Sequence, residues 1–270
     1  MILNEYKYIK PETVEDLTEA MSQKFDTKII AGGQSLIPLM KMGLTSFDQL
    51  VDISDIRAFK VVRIVNDSIE IGSMVRHCDL GKYDDIVTNV PLLANVANQI
   101  GDPQIRHRGT IGGAISHGDP ASDLAGCFVA LRGTAVVISK NGIREISSSD
   151  FYHGFLETAL GEDEVLASIR FPLTAVDAEF FKISKRAQDW AISGMAVARF
   201  VDTLSMGLIS MAATTVSVEI DVQEFHSDFE SVYQTVASKC SPTEDIYGTK
   251  NYRLHLLKVF MKQYAEKYSF

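Results

Sequence analysis

Two glycine-rich turns are the residues in this chain best suited to chemistry: Ala31-Gly32-Gly33-Gln34-Ser35-Leu36 and Arg108-Gly109-Thr110-Ile111-Gly112-Gly113. Successive glycines let a backbone bend so that several N–H groups point at one spot, which makes a nest for an anion. The hydroxyls of Ser35 and Thr110 add donors beside them. Neither turn is a GxGxxG or a GxxxxGK[ST] motif, so the common nucleotide-binding signatures fail. Taken singly, each reads more simply as a tight turn. As a pair they can grip a dinucleotide pyrophosphate from two sides. Downstream of the second turn, Asp119-Pro120-Ala121-Ser122-Asp123-Leu124 has the composition of a helix start. Asp123 has a second possible use there, accepting hydrogen bonds from sugar hydroxyls next to phosphates.

Other chemistries find little support. His77, His107, His117, His153, His226 and His255 show neither HExxH nor a paired ligand spacing, and no Ser-His-Asp arrangement follows from their order. Cys78, Cys127 and Cys240 are scattered and odd in number, so they form no disulfide framework and cannot supply the four thiolates of an iron–sulfur cluster. They read as small buried hydrophobes.

The elements that must position these turns follow from hydrophobic spacing. Tyr6–Ile9 alternates as a strand. Thr13-x-x-Asp16 is an imperfect capping box, and Val14, Leu17, Met21 and Phe25 continue at helical spacing, which predicts an amphipathic helix from Thr13 to Lys24. Lys28–Ala31 is a buried strand running straight into Gly32-Gly33, and Leu50–Ile53 is another, so the chain opens as a β-α-β unit. Val61–Val65 and Ser68–Ile71 flank Asn66-Asp67 as a hairpin. Leu92–Ile100 and Leu124–Leu131 read as helices around a turn-rich stretch. Asn141-Gly142 signals a second hairpin, between Ala135–Ser139 and Arg144–Ile146. Val165–Phe171 is a strand closed by Pro172. Beyond a boundary near Pro172 to Asp177, Phe180–Ser184 reads as a strand and Met206–Ile220 as a long, β-branched apolar stretch. Phe225–Ala237 and Tyr252–Tyr264 have helical spacing.

With 270 residues, 46% of them hydrophobic and 23% charged, the chain has room for about two ordinary globular domains. A net charge of −9 with no basic arm argues against a nucleic-acid partner and suits a cytoplasmic protein. MILNEYKYIKPETVEDL meets acid and proline too early for a signal peptide. Met206–Val218, the longest mostly apolar stretch, is shorter than the roughly 20 residues of a membrane span.

Four segments, in order and spacing, carry a family resemblance: IAGGQSLIPLMKMG, IGDPQIRHRGTIGGAISHGDPASDL, EVLASIRFP and FFKISKRAQDWAISGMAVA, with Tyr247–Arg253 as a closing segment. Together they resemble the FAD-binding (medium) subunit of the molybdenum hydroxylases, the family of the carbon monoxide dehydrogenase medium subunit and the xanthine dehydrogenase FAD-binding subunit. The resemblance implies an α+β fold. A two-subdomain FAD-binding domain of the vanillyl-alcohol-oxidase type would span residues 1–172, divided near residue 55, and a smaller α+β C-terminal domain would span 173–270. It further implies that Ile29, Ile30, Ala31, Gly32, Gly33, Gln34, Ser35 and Leu36, with Thr110, Ile111, Gly112, Gly113 and Ala114, line the pyrophosphate and adenosine path of FAD. Asp123 would bind hydroxyls of the ribityl or ribose chain. Ile100 would lie against the cofactor, while Leu166 and Lys182 would approach the isoalloxazine, where a cation stabilises the reduced anion. Many relatives have Asn in place of Ala114, so one side-chain contact would be missing. Arg106-His107-Arg108 would be structural or electrostatic. Trp190 reads as core packing, or else as a cover for the flavin edge.

By the same resemblance, the partners are a molybdopterin-binding large subunit and a [2Fe–2S] small subunit. Electrons would arrive from the clusters and leave to NAD⁺, a quinone or oxygen. No catalytic acid–base residue or metal ligand is expected on this chain. Two other readings stay open: a self-sufficient FAD-dependent oxidoreductase of the same fold, and a non-catalytic nucleotide-binding assembly module.

Overall fold

A computed structural model describes residues 5–23 and 25–268. The chain opens with β1 (Lys7–Ile9), α1 (Val14–Met21), β2 (Thr27–Ile30), α2 (Leu36–Lys41) and β3 (Gln49–Asp52). β3 lies between β1 and β2 and is parallel to both, so the two connections both cross over as helices. Thr13 caps α1 by accepting from the Asp16 N–H at 3.1 Å, as the capping box predicts. The helix stops at Met21, short of the expected end, and Lys24 lies outside the described residues.

Next come the hairpin β4 (Val62–Val65) and β5 (Ser68–Gly72) and a helical stretch: α3 (His77–Leu80), α4 (Asp84–Asn89), α5 (Pro91–Ala97), α6 (Pro103–Arg108), α7 (Ile111–Ser116) and α8 (Asp123–Ala130). β6 (Thr134–Ser139) and β7 (Gly142–Ser147) form the second expected hairpin. The small pair β8 (Tyr152–Gly154) and β9 (Glu157–Thr158) and the long β10 (Val165–Pro172) follow. β10 joins the two hairpins into one antiparallel sheet, in the order β4-β5-β10-β6-β7. Helices α5, α7 and α8 cover it over a core that includes Ile69, Ile71, Leu93, Ile115, Phe128, Phe151, Ile169 and Phe171. A smaller core joins Leu17, Val51, Ile56 and Phe59 to Ile138 and Val165, which locks the opening unit onto this sheet.

The last part is a four-stranded antiparallel meander, β11 (Asp177–Ile183), β12 (Ser193–Arg199), β13 (Thr203–Ile209) and β14 (Val216–Asp221), backed by α9 (Val222–Ser227), α10 (Phe229–Ser238) and α11 (Lys250–Lys267). The opposite face of this sheet carries α8. The approach is so close that a Cβ at Gly207 would fall 2.0 Å from the Gly126 carbonyl oxygen. Only a glycine at position 207 permits it.

Several expectations need correction. The stretch read as turns after Ile100 contains two short helices, because Asp102 caps α6 and Thr110 caps α7 through side-chain bonds to Ile105 and Gly113 N–H groups. Met206–Ile220 is two strands with a reversal between them. Phe225–Ala237 is two helices that break at Asp228, whose carboxylate caps the second. Strand β12 was not foreseen; buried on both faces, it lacks alternation. Cys127 and Cys240 are buried thiols, Cys240 pushed up to about 12 by desolvation, but Cys78 is only partly covered. No helix among the described residues is long and apolar enough to cross a membrane.

Candidate functional site

The first glycine turn leaves β2 at Ala31 and enters α2 at Leu36. Gly33 holds φ +72°, a conformation that costs a residue with a Cβ about 1–2 kcal/mol. The Gly33 and Ser35 carbonyls accept from Ile37 and Leu39 at 3.1 and 3.3 Å. The N–H groups of Gly33, Gln34, Ser35 and Leu36 have no acceptor among the described residues, and the Ser35 hydroxyl makes no capping bond. This turn is an open nest.

The second turn differs from its sequence reading. Its N–H groups are already engaged: Ile111 donates to Val75, Gly112 to Ser73 and Ala114 to Thr110, at 3.0, 2.9 and 3.0 Å. Gly113 donates to the Thr110 hydroxyl oxygen at 3.1 Å. Thr110 thus serves first as a helix cap, with its hydroxyl proton still free to donate. The partners lie on an irregular strap, Ser73–His77, which Ser73 ties to the Ala167 carbonyl at 2.9 Å and His77 to the Gly109 carbonyl at 3.0 Å. No periodicity marks such a segment, which is why sequence reasoning passed over Ser73 and His77.

The two turns meet. A Cβ on Gly32 would lie 2.2 Å from the Arg108 carbonyl oxygen, and one on Gly113 would lie 3.7 Å from the Ala31 Cβ. The missing side chain at Gly32 is what lets the turns approach, while a Cβ on Gly113 would just touch Ala31. Gly113 also has the capping hydroxyl of Thr110 2.9 Å from that Cβ position. Gly113→Val is expected to fold and to lose flavin occupancy by tenfold or more (about 1.4 kcal/mol), measured by titrating the apoprotein. Full occupancy would remove this turn from the site.

Asp123 and Lys182 are brought together from opposite parts of the fold. Asp123 begins α8, Lys182 lies on β11, and Lys182 Nζ donates to Asp123 Oδ2 at 2.7 Å with side chains only 5% and 9% exposed. Asp123 Oδ1 is buried and accepts nothing among the described residues. Burial raises the Asp123 pKa above the usual carboxylate range, while Lys182 pulls it down. A buried lone pair without a donor is costly, so this oxygen is suited to receive a ligand hydroxyl. His117, at the end of α7, has its pKa lowered by burial and by Lys28 of β2, against the opposing pull of Asp119.

The remaining candidates are less direct. Ile29 and Ala31 are half-buried against the small core, and Ile30 is half-buried on the same strand. Ile100 is half-buried where Arg106 donates to its carbonyl at 3.1 Å, which gives Arg106 a structural task. Leu166 is 3% exposed and its side chain is packed in the large core; it borders the irregularity in β10 whose Ala167 holds the strap. Ala114 is half-buried against that core. Trp190, read as core packing or else as a cover for the flavin edge, is 60% exposed on the loop following β11, so the core reading fails: the residue lies beyond the end of the sheet that would have buried it.

The donor set fits FAD: an open N–H nest for phosphates, glycines where phosphates must approach, and an orphaned carboxylate oxygen for a hydroxyl. Comparisons with known proteins agree. Residues 4–174 match the model for the FAD binding domain in molybdopterin dehydrogenase. The chain is 30% identical to the glyceraldehyde dehydrogenase medium chain of Sulfolobus acidocaldarius, covering 97% of this chain and 98% of that one. It is 28% identical to the nicotine 6-hydroxylase medium subunit of Paenarthrobacter nicotinovorans, over 97% of each. A solved carbon monoxide dehydrogenase from Hydrogenophaga pseudoflava superposes with a TM-score of 0.88 at 29% identity, over 97% of this chain and 96% of that one. By this match over residues 4–174 and these relatives, the chain belongs to the family of FAD-binding domains of molybdopterin dehydrogenases and is an FAD-binding oxidoreductase chain.

Proposed function

We propose that this chain is the electron-transfer subunit of a molybdenum-containing hydroxylase or dehydrogenase. It would take electrons from [2Fe–2S] clusters of a small subunit, beside a molybdopterin-binding large subunit, and pass them to NAD⁺, a quinone or oxygen. Bound FAD supplies the redox chemistry, and the protein supplies binding, orientation and tuning. The observation that carries the reading is the buried Asp123–Lys182 pair with its free carboxylate oxygen.

The N–H groups of Gly33 to Leu36 hold the pyrophosphate, with the Ser35 and Thr110 hydroxyls donating beside them. Gly32 and Gly113 keep the approach clear. Asp123 Oδ1 would accept from a ribityl or ribose hydroxyl, and Lys182, paired with Asp123 Oδ2, would supply a positive charge that stabilises the reduced anion. Trp190, exposed on the loop after Lys182, is free to cover the ring edge. Ile100 and Leu166 support the cofactor from the packed core. The acidic chain suits a cytoplasmic complex.

The test uses the purified chain, alone and then with molybdenum and iron–sulfur partner subunits. Alone, it is expected to bind one FAD and to reduce an artificial dye with NADH, without hydroxylating hypoxanthine, nicotinate, an aldehyde or carbon monoxide. Hydroxylation should appear only with the partners present. Turnover by the lone chain would establish a self-sufficient flavoenzyme instead. Failure to bind FAD would leave a nucleotide-binding assembly module.

A further inference from the structure

We propose that His77 is a positioning residue for the cofactor site: a neutral imidazole sealed beneath Gly109 and Thr110 keeps the strap Ser73–His77 closed on the second glycine turn, and protonating it opens them and releases FAD. The inference rests on the FAD-site reading above and adds a residue and a pH response to it.

The geometry is specific. His77 is 5% exposed, and neither ring nitrogen has a hydrogen-bond partner among the described residues. Its ring is pressed on the turn: a Cβ at Gly109 would lie 3.0 Å from His77 Cε1 and 3.1 Å from Nδ1. Its own N–H donates to the Gly109 carbonyl at 3.0 Å, and the antiparallel bridge Arg76–Thr110 lies beside it. Two further strap carbonyls, of Ser73 and Val75, hold Gly112 and Ile111. Moving His77 therefore moves the turn that carries Gly113 and the Thr110 hydroxyl.

Burial is the dominant effect and lowers the pKa of the ring, outweighing the one group that favours the charged form, the Thr110 backbone. The Arg106 charge on α6, whose guanidinium is bonded to the Ile100 and Gly101 carbonyls, adds a smaller lowering. α5, Pro91–Ala97, offers no titratable group, and neither do Gly109 and Thr110. On its own element and its flank, Arg76 and Asp79 are the charged neighbours, and Asp79 is paired with Lys82 at 2.7 Å. Among the described residues, no carboxylate is positioned to compensate an imidazolium. The pKa falls from 6.5 to about 4 in the closed strap. A depressed histidine stabilises the closed state fully above pH 6.5, and this contribution is lost as pH falls towards 4. From pH 8 to pH 5 the opening equilibrium should rise about 30-fold.

The experiment follows FAD release by stopped-flow from wild type and His77→Gln between pH 8 and pH 5, with far-UV circular dichroism in parallel. Wild type is expected to release FAD about 30-fold faster at pH 5, with its secondary structure retained. His77→Gln, which stays uncharged and polar, should bind FAD at pH 8 and lose most of that acceleration. What remains measures Asp123, which is the same in both proteins. An equal acid response in both proteins, a flat response in wild type, or loss of secondary structure in step with release would overturn the role of His77. A wild-type chain that binds no FAD at pH 8 would instead overturn the cofactor reading, and the proposal with it.

Discussion

Asp123→Ala will destabilise the folded chain by about 3–5 kcal/mol, because it leaves the Lys182 ammonium buried without its partner. Both side chains are almost wholly covered, so solvent does not screen the loss. The same change removes the oxygen that is free to accept a cofactor hydroxyl, and FAD retention should fall further by a factor of ten or more, since a bond to a charged group contributes about 1.5–3 kcal/mol. Asp123→Asn should be intermediate: its amide oxygen still accepts from one donor, but the counter-charge is gone. The two effects separate in the double variant Asp123→Ala with Lys182→Met, which is expected to regain most of the stability and none of the FAD affinity. Urea denaturation and FAD titration measure the two quantities. If Asp123→Ala melts and binds like wild type, Asp123 is a helix-start residue and nothing more.

Gly32→Ala should be nearly as damaging, through a different cause. The added methyl would sit 2.2 Å from the Arg108 carbonyl oxygen and 2.9 Å from the Gly109 Cα, both backbone atoms. Neither is the flexible end of a side chain, so the turns must separate. Overpacking of this kind costs about 1–3 kcal/mol, and separating the turns should lower FAD affinity by at least tenfold (about 1.4 kcal/mol). Gly43→Ala is the control. That glycine has φ +71° but nothing within 4 Å of the added carbon, so the variant pays only backbone strain, about 1–2 kcal/mol. It should keep normal FAD affinity. Equal FAD affinity in Gly32→Ala and Gly43→Ala would show that the facing of the turns is irrelevant to binding.

The sequence by itself determined the local structure and the identity of the family. Turn residues and hydrophobic alternation are local signals, so the hairpins around Asn66-Asp67 and Asn141-Gly142 and the capped helix after Thr13 were legible before any coordinates. The two glycine turns and the segment ending in Asp123 were legible for the same reason, since motif spacing survives where overall identity has fallen. Elements whose signal comes from their neighbours were not. β12 hides inside an apolar run because both of its faces are covered, and the short helices after Asp102 and Thr110 exist because a capping side chain closes them.

Only the tertiary structure decided which groups are spent and which are free. Sequence treats the two glycine turns as equal nests, yet the N–H groups of the second are bonded to the Ser73–His77 strap while those of the first stay open. Asp123 and Lys182 are 59 residues apart and were given separate tasks; the packing of α8 on the last sheet makes them one buried pair. His77 was one of six unremarkable histidines until burial removed its water and left both ring nitrogens without a hydrogen-bond partner that meets the usual geometry among the described residues. Desolvation and partner choice depend on what surrounds an atom in space. Motif spacing along the chain does not encode that, which is why the cofactor could be read from the residues and the wiring of its site could not.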